Sequence, residues 1–244
     1  MNFLTISNLP IRGEWIRDIW SWVFLLFMVL FFEIWAQVSY SSSFLFNGFN
    51  VQSILIFATA PLLLGIGQSL VIISGGIDLS VGFVMGLSAV VLATAVQSFS
   101  VEADGLALAI GLIITFLVCL IPGFINGFLV TKLKIPPFIG TLGMYGVARG
   151  AGFIIADGMT VPVNNDWLYK IGTGKILGIP ILVLVAIITV IVFHFILSQT
   201  KFGQYTYAIG GNREAAIRSG INVDRHIILI FMISSFCAFL AGLV

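Results

Sequence analysis

The chain has 244 residues, of which 59% are hydrophobic and only 9% charged, and its formal net charge is +1. Soluble domains carry about 25% charged residues, so this composition cannot cover a water-exposed surface and excludes an ordinary soluble globular protein. The near-neutral charge gives no support to nucleic-acid binding. The composition therefore predicts an integral membrane protein.

Seven apolar segments are long enough, or nearly so, for a helix to cross the bilayer, which takes about 20 residues. Backbone groups in lipid have no water partners, so helices are the expected form. The segments are 19–38, 51–73, 80–97, 106–130, 135–156, 176–198 and 227 to the end. The predicted fold class is an all-α, polytopic bundle of about seven transmembrane helices, forming one domain over residues 1–244. The first segment lacks a cleavage site and is interpreted as a retained signal anchor.

Basic residues between these segments predict the orientation in the membrane. Basic residues favour the cytoplasmic side. With the N-terminus in the cytoplasm, the cytoplasmic segments hold Arg12, Arg17, Lys132, Lys134, Lys201, Arg213, Arg218 and Arg225, and the external segments hold only Lys170 and Lys175. A cytoplasmic N-terminus is therefore expected. Because the chain stops at Val244 inside an apolar run, we expect either a short last helix or a C-terminally truncated chain, and favour the second.

Three G-x-x-x-G pairs lie within the segments, namely Gly82/Gly86, Gly123/Gly127 and Gly146/Gly150. Small residues at this spacing allow helix backbones to approach closely. Each pair is therefore predicted to pack against another helix.

The longest polar stretch between segments runs over residues 199–226 and is predicted to be a cytoplasmic loop. Within it, Asn212 is suited to cap a short helix, with Glu214 in its first turn and Arg218 four residues further on. Two glycines, Gly210 and Gly211, precede this helix, and Gly220 supplies its end. We therefore expect a short, exposed helix, although a plain amphipathic connector fits the same pattern.

The run Gly75–Gly82, GGIDLSVG, lies between the second and third segments. An ionised carboxylate at the membrane boundary is expensive, so Asp78 is expected to have a partner or a role. One interpretation is that Asp78, assisted by Ser80, caps the third helix. The other is a gate or conduit, in which Gly75 and Gly76 permit a break in the helix.

Arg149 is the one basic residue within a predicted span. It is expected to face the bundle interior or an aqueous boundary, either reaching toward water or pairing with a carboxylate such as Asp78. The neutral polar residues within or beside the spans either line a conduit for a hydroxyl-rich solute or form hydrogen bonds between helices. They are Gln68, Ser69, Ser74, Asn126 and Thr141.

Enzyme and metal motifs are not found in the sequence. The segment Gly172–Lys175 looks like the tail of a phosphate-binding loop, but Tyr169 stands at its leading glycine and Ile176 at its Ser/Thr. We therefore predict no ATPase site, and hence not an enzyme. Cys119, Cys237, His194 and His226 are isolated, and the two cysteines are read as small buried apolar residues. No metal and no cofactor are predicted.

Three motifs together resemble one protein family. The run Gly75–Gly82 resembles the signature of permease subunits from ribose-, xylose- and arabinose-type ABC importers. The stretches Ile139–Gly150, IGTLGMYGVARG, and Phe202–Arg225, FGQYTYAIGGNREAAIRSGINVDR, are similar to two further elements of that family. The related branched-chain amino-acid permeases share the architecture but lack the GGIDLS run, which favours sugars.

The resemblance implies a function and a set of partners. It implies import of a monosaccharide or related small carbohydrate across the inner (cytoplasmic) membrane, driven by ATP hydrolysis in a separate cytoplasmic subunit. The further partners are a periplasmic sugar-binding protein and a second permease subunit, in a homo- or heterodimer. It places Glu214, Ala215, Ala216 and Gly220 in the helix that couples to the ATPase. Family members usually continue through several more spans.

Two other functions remain open at this point. The first is an ion-coupled secondary transporter that uses Asp78 or Glu33 as a proton site, which requires ionisable residues near the membrane midplane. The second is a membrane anchor or receptor component without transport activity.

Overall fold

A computed structural model describes residues 13–99, 104–163 and 165–244, and the side chains of residues 13–18 are not included in the description. Arg12 and the side chain of Arg17, both used above to predict the orientation, lie outside the described part.

Over these ranges the chain forms ten helices and one two-stranded hairpin. The helices are α1 (Gly13–Tyr40), α2 (Gly48–Ile73), α3 (Val81–Ser98), α4 (Asp104–Thr131), α5 (Pro137–Ile155), α6 (Asp166–Thr173), α7 (Ile181–Gln199), α8 (Lys201–Gly211), α9 (Arg213–Arg218) and α10 (Val223–Gly242). The antiparallel strands β1 (Lys175–Ile176) and β2 (Ile179–Pro180) lie between α6 and α7. In the described part, seven helices are long and apolar enough to span a membrane: α1, α2, α3, α4, α5, α7 and α10. The predicted multi-pass, all-α fold is confirmed.

The chain separates into two compact units, of which the first ends at Ile54. In this unit the Glu33 carboxylate of α1 accepts hydrogen bonds from the backbone N–H groups of Phe44 (2.8 Å) and Leu45 (2.9 Å). It also accepts one from Ser43 Oγ (2.9 Å). Since these donors lie in the turn between α1 and α2, Glu33 fixes the shape of that turn.

The second unit, Leu55–Val244, is built around α10, which packs against α3 and α4. Glycines on α4 permit this packing. A β-carbon on Gly123 would lie 2.5 Å from the carbonyl oxygen of Phe231, and one on Gly127 would lie 2.6 Å from the Cα of Ile228. Without side chains at these positions, the two backbones come into direct contact, which substitutes for a hydrophobic drive in lipid. The prediction for Gly123/Gly127 is confirmed.

The other two G-x-x-x-G pairs pack against nothing in the described residues. A β-carbon added at Gly82, Gly86, Gly146 or Gly150 would have no neighbour within 4 Å. The prediction of close packing within this chain is wrong for these pairs, because the spacing is correct but the glycines face open space on α3 and α5.

This difference predicts opposite effects of one substitution at two glycines. Gly127→Ala inserts a methyl group against the α10 backbone, and overpacking of this kind costs about 1–3 kcal/mol. At about 2–4 °C per kcal/mol for a unit of this size, the thermal midpoint in detergent should fall by several degrees. Gly146→Ala, the matched control, should leave the midpoint unchanged or raise it, since alanine favours the helix. Equal midpoints for the two variants would contradict the α4–α10 contact.

The linkers of the second unit sort into two ends of the bundle. At one end, which we call the basic end, Lys132 after α4 and Arg213 in α9 both form ion pairs with Asp224 at the start of α10. At the opposite end, Asn165 Nδ2 donates to the backbone carbonyl of Asp104 (2.9 Å). The side chain of Gln97 reaches the carbonyl of Pro162 at this same end. Within this unit, the segments that the charges assign to the cytoplasm thus lie at one end of the bundle and those assigned to the exterior lie at the other. Which end faces the cytoplasm stays a prediction.

Burial of the cysteines follows the sequence expectation. Cys119 on α4 and Cys237 on α10 are free thiols with no exposed surface.

Large apolar side chains cover much of the exterior, for example Phe57, Phe153 and Phe195. An apolar exterior is the arrangement that lipid favours and that water does not.

Candidate functional site

The predicted short helix in the polar loop is present as α9 at the basic end. Asn212 caps it, since its Oδ1 accepts a hydrogen bond from the Ala215 N–H (3.0 Å). Glu214 and Arg218 form an i,i+4 ion pair (3.8 Å), and the two side chains are each 84% exposed. The helix ends at Gly220, which has a left-handed backbone (φ +83°) that few residues other than glycine adopt readily. The predicted cap, ion pair and end are all confirmed.

One side of α9 is held against the bundle. Ala216 is 3% exposed and belongs to an apolar cluster that includes Val223 and Ile227 of α10. The Ile221 N–H donates to the Ala216 carbonyl (3.1 Å), which closes the chain after the helix. The exposed side of α9, with Ala215, Glu214 and Arg218, therefore projects from a fixed base.

The two glycines before α9 are themselves helical. Gly210 and Gly211 are the last residues of another helix, α8. A β-carbon on Gly210 would overlap the carbonyl oxygen of Ile73, at the C-terminal end of α2, whereas one on Gly211 would have no neighbour within 4 Å. Gly210 is thus a point of direct backbone contact between α8 and α2.

A buried histidine joins α8 to α10. His226 Nε2 lies 2.9 Å from Thr206 Oγ1, and the ring packs against Phe202 with 4.5 Å between centroids. The sequence showed His226 only as an isolated residue, because Thr206 lies twenty positions away. The contact therefore joins α8 to the first turn of α10.

Asp224 is a further residue that the sequence pattern did not single out. Its carboxylate lies 3.1 Å from Lys132 Nζ, 3.5 Å from Arg213 Nη2 and 3.8 Å from Lys134 Nζ. These side chains are partly exposed, so solvent screens their attraction and each pair alone contributes modestly. Together they join the α4–α5 loop, the first residue of α9 and the first turn of α10. The sequence feature that could have identified Asp224 is its position in the first turn of α10.

The linker between α2 and α3, residues 74–80, carries the buried carboxylate of Asp78, which is 2% exposed. Its Oδ1 accepts hydrogen bonds from the Ser80 N–H (2.9 Å) and Ser80 Oγ (2.6 Å), and its Oδ2 accepts one from Ser234 Oγ of α10 (3.3 Å). Asn126 Nδ2 of α4 donates to Ser80 Oγ (3.0 Å). Burial raises the pKa of the Asp78 carboxyl above its ordinary value, and the hydrogen bonds from Ser80 and Ser234 oppose that shift.

The interpretation of Asp78 as the cap of the third helix is wrong. Ser80 occupies the N-cap position of α3 and forms no side-chain cap hydrogen bond. The Asp78 carboxylate instead binds Ser80 itself and reaches across to Ser234. Hydrogen bonds within the linker and to another helix have replaced the expected contacts with the first turn of α3.

Two further side chains hold the backbone of this linker. Thr141 Oγ1 of α5 accepts from the Leu79 N–H (3.1 Å) and donates to the Ile77 carbonyl (3.3 Å). With its amide oriented to satisfy both groups, Gln68 of α2 binds the N–H and the carbonyl of Asp78, each at 3.2 Å. Side chains from α2, α4, α5 and α10 therefore converge on one linker, and we call Gln68, Asp78, Ser80, Asn126, Thr141 and Ser234 the linker cluster.

The remaining predicted site residues are outside the linker cluster or at its edge. Gly75 has a left-handed backbone (φ +89°), and a β-carbon on Gly76 would lie 3.2 Å from Val71 Cγ1, so both glycines fit the turn that leaves α2. Ser69 donates to a backbone carbonyl of its own helix, and Ser74, the first residue of the linker, donates to a backbone carbonyl of α2. These two serines therefore satisfy their hydroxyl groups locally.

Arg149 is not part of the linker cluster. Its side chain is exposed, and its Cζ lies 5.6 Å above the ring centroid of Phe83 on α3. Thr141, two helical turns earlier on α5, is the residue that reaches the linker next to Asp78. The suggested pairing of Arg149 with Asp78 is wrong, because Arg149 lies eight residues further along α5 than Thr141, the residue that lies beside Asp78.

The geometry joins an exposed helix to a buried linker. Displacement of α8 and α9 would act on the end of α2 through Gly210 and Ile73, and on α10 through His226. A cleft of about 290 Å³ lined by Gly75, Gly76, Lys134 and Arg213, among others, lies where these elements meet. The segment Gly172–Lys175, by contrast, ends α6 and leads into the hairpin, whereas a phosphate-binding loop opens a helix.

The chain is similar to several known sugar permeases. The ribose import permease protein RbsC of Haemophilus influenzae is 35% identical over 213 residues, covering 86% of this chain and 64% of the relative. The D-allose transport system permease protein AlsC of Escherichia coli is 34% identical over 199 residues (80% and 58%). The fructose import permease protein FrcC of Rhizobium meliloti is 33% identical over 205 residues (81% and 56%).

The chain thus spans between 56% and 64% of the length of these three relatives. No solved structure matches it. A family model described as branched-chain amino acid transport system / permease component matches residues 50–244, which include α9 and the linker cluster. The chain is therefore a multi-pass membrane protein that belongs to this family of transport-system permease components.

Proposed function

We propose that this chain is the membrane-spanning subunit of an ATP-driven ABC importer that moves a monosaccharide or related small carbohydrate across the inner membrane. ATP is hydrolysed by a separate cytoplasmic subunit, a periplasmic binding protein delivers the sugar, and a second permease subunit completes the pathway. The similarity to permeases named for ribose, D-allose and fructose supports the substrate class.

The observation that carries the proposal is the projection of α9 from a fixed base. Glu214 and Arg218 are exposed, while Ala216 is buried and Arg213 pairs with Asp224. A helix built in this way transmits a push from an external partner without deforming. We therefore assign Asn212, Glu214, Ala215, Ala216, Arg218 and Gly220 to the coupling contact with the ATPase.

The charge distribution supports the assignment of sides. Lys132, Lys134 and Arg213 all lie at the basic end, and basic residues favour the cytoplasm. With α9 on that side, a cytoplasmic ATPase reaches it, and the N-terminus of the chain is cytoplasmic as well.

In this mechanism the permease has no energy source of its own. Closure of the ATPase moves α8 and α9, the end of α2 follows through Gly210, and the linker cluster transfers the motion to α4, α5 and α10. We assign Gly75, Gly76, Asp78, Ser80, Asn126 and Thr141 to the gate, and Arg149 to the path. The sugar crosses through weak polar contacts, since tight binding would slow its release.

The test is uptake by a reconstituted complex. The chain is co-expressed with the ATP-binding subunit and the binding protein of its importer, placed in liposomes, and assayed with ribose, D-allose and fructose. Glu214→Arg reverses an exposed charge, so folding should be unaffected to within about 0.5 kcal/mol. We expect this variant to lose both the co-purified ATPase and ATP-driven uptake. The control Asp166→Arg reverses an exposed acidic residue at the opposite end and should retain both.

Three results would count against the proposal. Uptake that follows a proton gradient and not ATP would favour the secondary transporter. Normal ATPase binding and uptake by Glu214→Arg would remove α9 from the coupling contact. Labelling of an Arg218→Cys variant by an impermeant reagent added outside intact cells would place α9 on the wrong side of the membrane.

A further inference from the structure

A cavity of about 420 Å³ lies between α3 and α5, away from the linker cluster. Its lining includes the rings of Phe83 and Phe153, the guanidinium-bearing side chain of Arg149, and the glycines Gly86 and Gly152. A β-carbon on Gly86 would meet nothing within 4 Å, so this glycine contributes space to the cavity rather than a packing contact. The volume falls in the range of small-molecule sites, about 300–1,000 Å³.

The Arg149 guanidinium lies over the ring of Phe83. Its Cζ lies 5.6 Å from the centroid of Phe83, and the ring of Tyr145, one turn earlier on α5, meets Phe83 edge-on with 4.3 Å between centroids. No carboxylate forms an ion pair with Arg149 in residues 13–99, 104–163 and 165–244. Ionisable residues within spanning helices are rare and commonly mark substrate or ion pathways.

The chemistry of this cavity matches a neutral polyol. A guanidinium offers five N–H donors and no acceptor, and the hydroxyl oxygens of a sugar accept such bonds. The aromatic rings suit the apolar face of a sugar ring, whose C–H groups carry the partial positive charge that a π face attracts. A single cation beside two phenyl rings gives little preference for a doubly charged anion. These features are all found in one place on the wall between α3 and α5.

We infer that Arg149, with Phe83 and Phe153, forms a carbohydrate-contact site in which the guanidinium donates hydrogen bonds to sugar hydroxyls. This inference rests on the proposed function and adds to it a particular site and a selectivity. Because Arg149 lies six residues before the end of α5, about 9 Å along the axis, the site belongs to the half of the bundle nearer the opposite end. Sugar would meet it before reaching the linker cluster.

The test compares substrates that differ by one hydroxyl. Of ribose, D-allose and fructose, the sugar with the fastest wild-type uptake is compared with its deoxy analogues. If that sugar is ribose, one analogue is 2-deoxyribose. Arg149→Gln should lower uptake of the sugar by about tenfold, the factor that 1.4 kcal/mol represents. It should also reduce the preference for the sugar over at least one deoxy analogue, and Arg149→Lys should restore part of that preference. ATPase binding should not change.

A matched control is available at the opposite end, where Lys170 Nζ lies 5.3 Å from the ring of Trp167. Lys170→Gln removes the same type of cation–π contact outside the cavity and should change neither uptake nor preference. Equal loss of uptake for the sugar and all its deoxy analogues in Arg149→Gln would overturn the inference and give Arg149 a purely structural role. Unchanged uptake would overturn it as well. Absence of ATP-driven uptake in the wild type would instead contradict the proposed function itself.

Discussion

Gly210→Ala is expected to abolish most of the sugar uptake of the reconstituted complex, whereas Gly211→Ala is expected to leave it near the wild-type level. The added methyl group of the first variant would overlap the carbonyl oxygen of Ile73, and a backbone carbonyl cannot turn away as a flexible side chain can. Overpacking costs about 1–3 kcal/mol, which corresponds to roughly a 5- to 150-fold change in an equilibrium. Helix α8 must therefore move away from α2.

The comparison is well controlled because the two glycines are adjacent in the same helix. Both substitutions add one methyl group and gain the same helix propensity. Uptake is measured per reconstituted complex, with co-purified ATPase as a second readout. We expect Gly210→Ala to keep the ATPase, because α9 remains exposed, and to lose transport. Similar uptake by the two variants would show that the contact between α8 and α2 does not transmit motion.

Asp78→Ala is expected to cause the largest loss of stability. The substitution leaves three buried donors, namely Ser80 N–H, Ser80 Oγ and Ser234 Oγ, without their acceptor. A buried donor without a partner costs about 1–3 kcal/mol. At about 2–4 °C per kcal/mol, the thermal midpoint of the purified chain in detergent should fall by about 10 °C. Thermal unfolding with detection of the monodisperse fraction measures this directly.

Two further variants separate structure from charge at this position. Asp78→Asn keeps one carbonyl oxygen as an acceptor, so its midpoint should lie between those of the wild type and Asp78→Ala. Asp166→Ala removes an exposed carboxylate and should change the midpoint by no more than about 1–2 °C, since surface substitutions lie within about 0.5 kcal/mol. A normal midpoint for Asp78→Ala would show that the linker does not depend on its carboxylate. A stable Asp78→Asn variant without uptake would assign Asp78 a role in transport beyond structure.

Local patterns in the sequence were sufficient to predict the spanning helices and α9. Long apolar runs predict spanning helices because lipid leaves the backbone no other way to satisfy its hydrogen bonds. Asn212, Glu214, Arg218 and Gly220 predicted the cap, the ion pair and the end of α9 because each acts within one helical turn. Both partners of these interactions lie three or four residues apart, so the local sequence names them. These predictions are confirmed.

Partners distant in the sequence could not be predicted in this way. Ser234 reaches Asp78 across 156 positions, and Lys132 reaches Asp224 across 92. The same G-x-x-x-G spacing packs α4 against α10 at Gly123/Gly127 and faces open space at Gly146/Gly150.

The sequence by itself determined that this protein is a membrane-embedded helical bundle with a short polar helix between two spans, since composition and one-turn spacing fix those features. Only the tertiary structure decided which glycines touch another backbone, that Asp78 holds the linker instead of capping a helix, and that Arg149 stands apart beside Phe83. The physical reason is that the direction each side chain faces depends on how whole helices pack, and helix packing is set by contacts summed over the entire bundle.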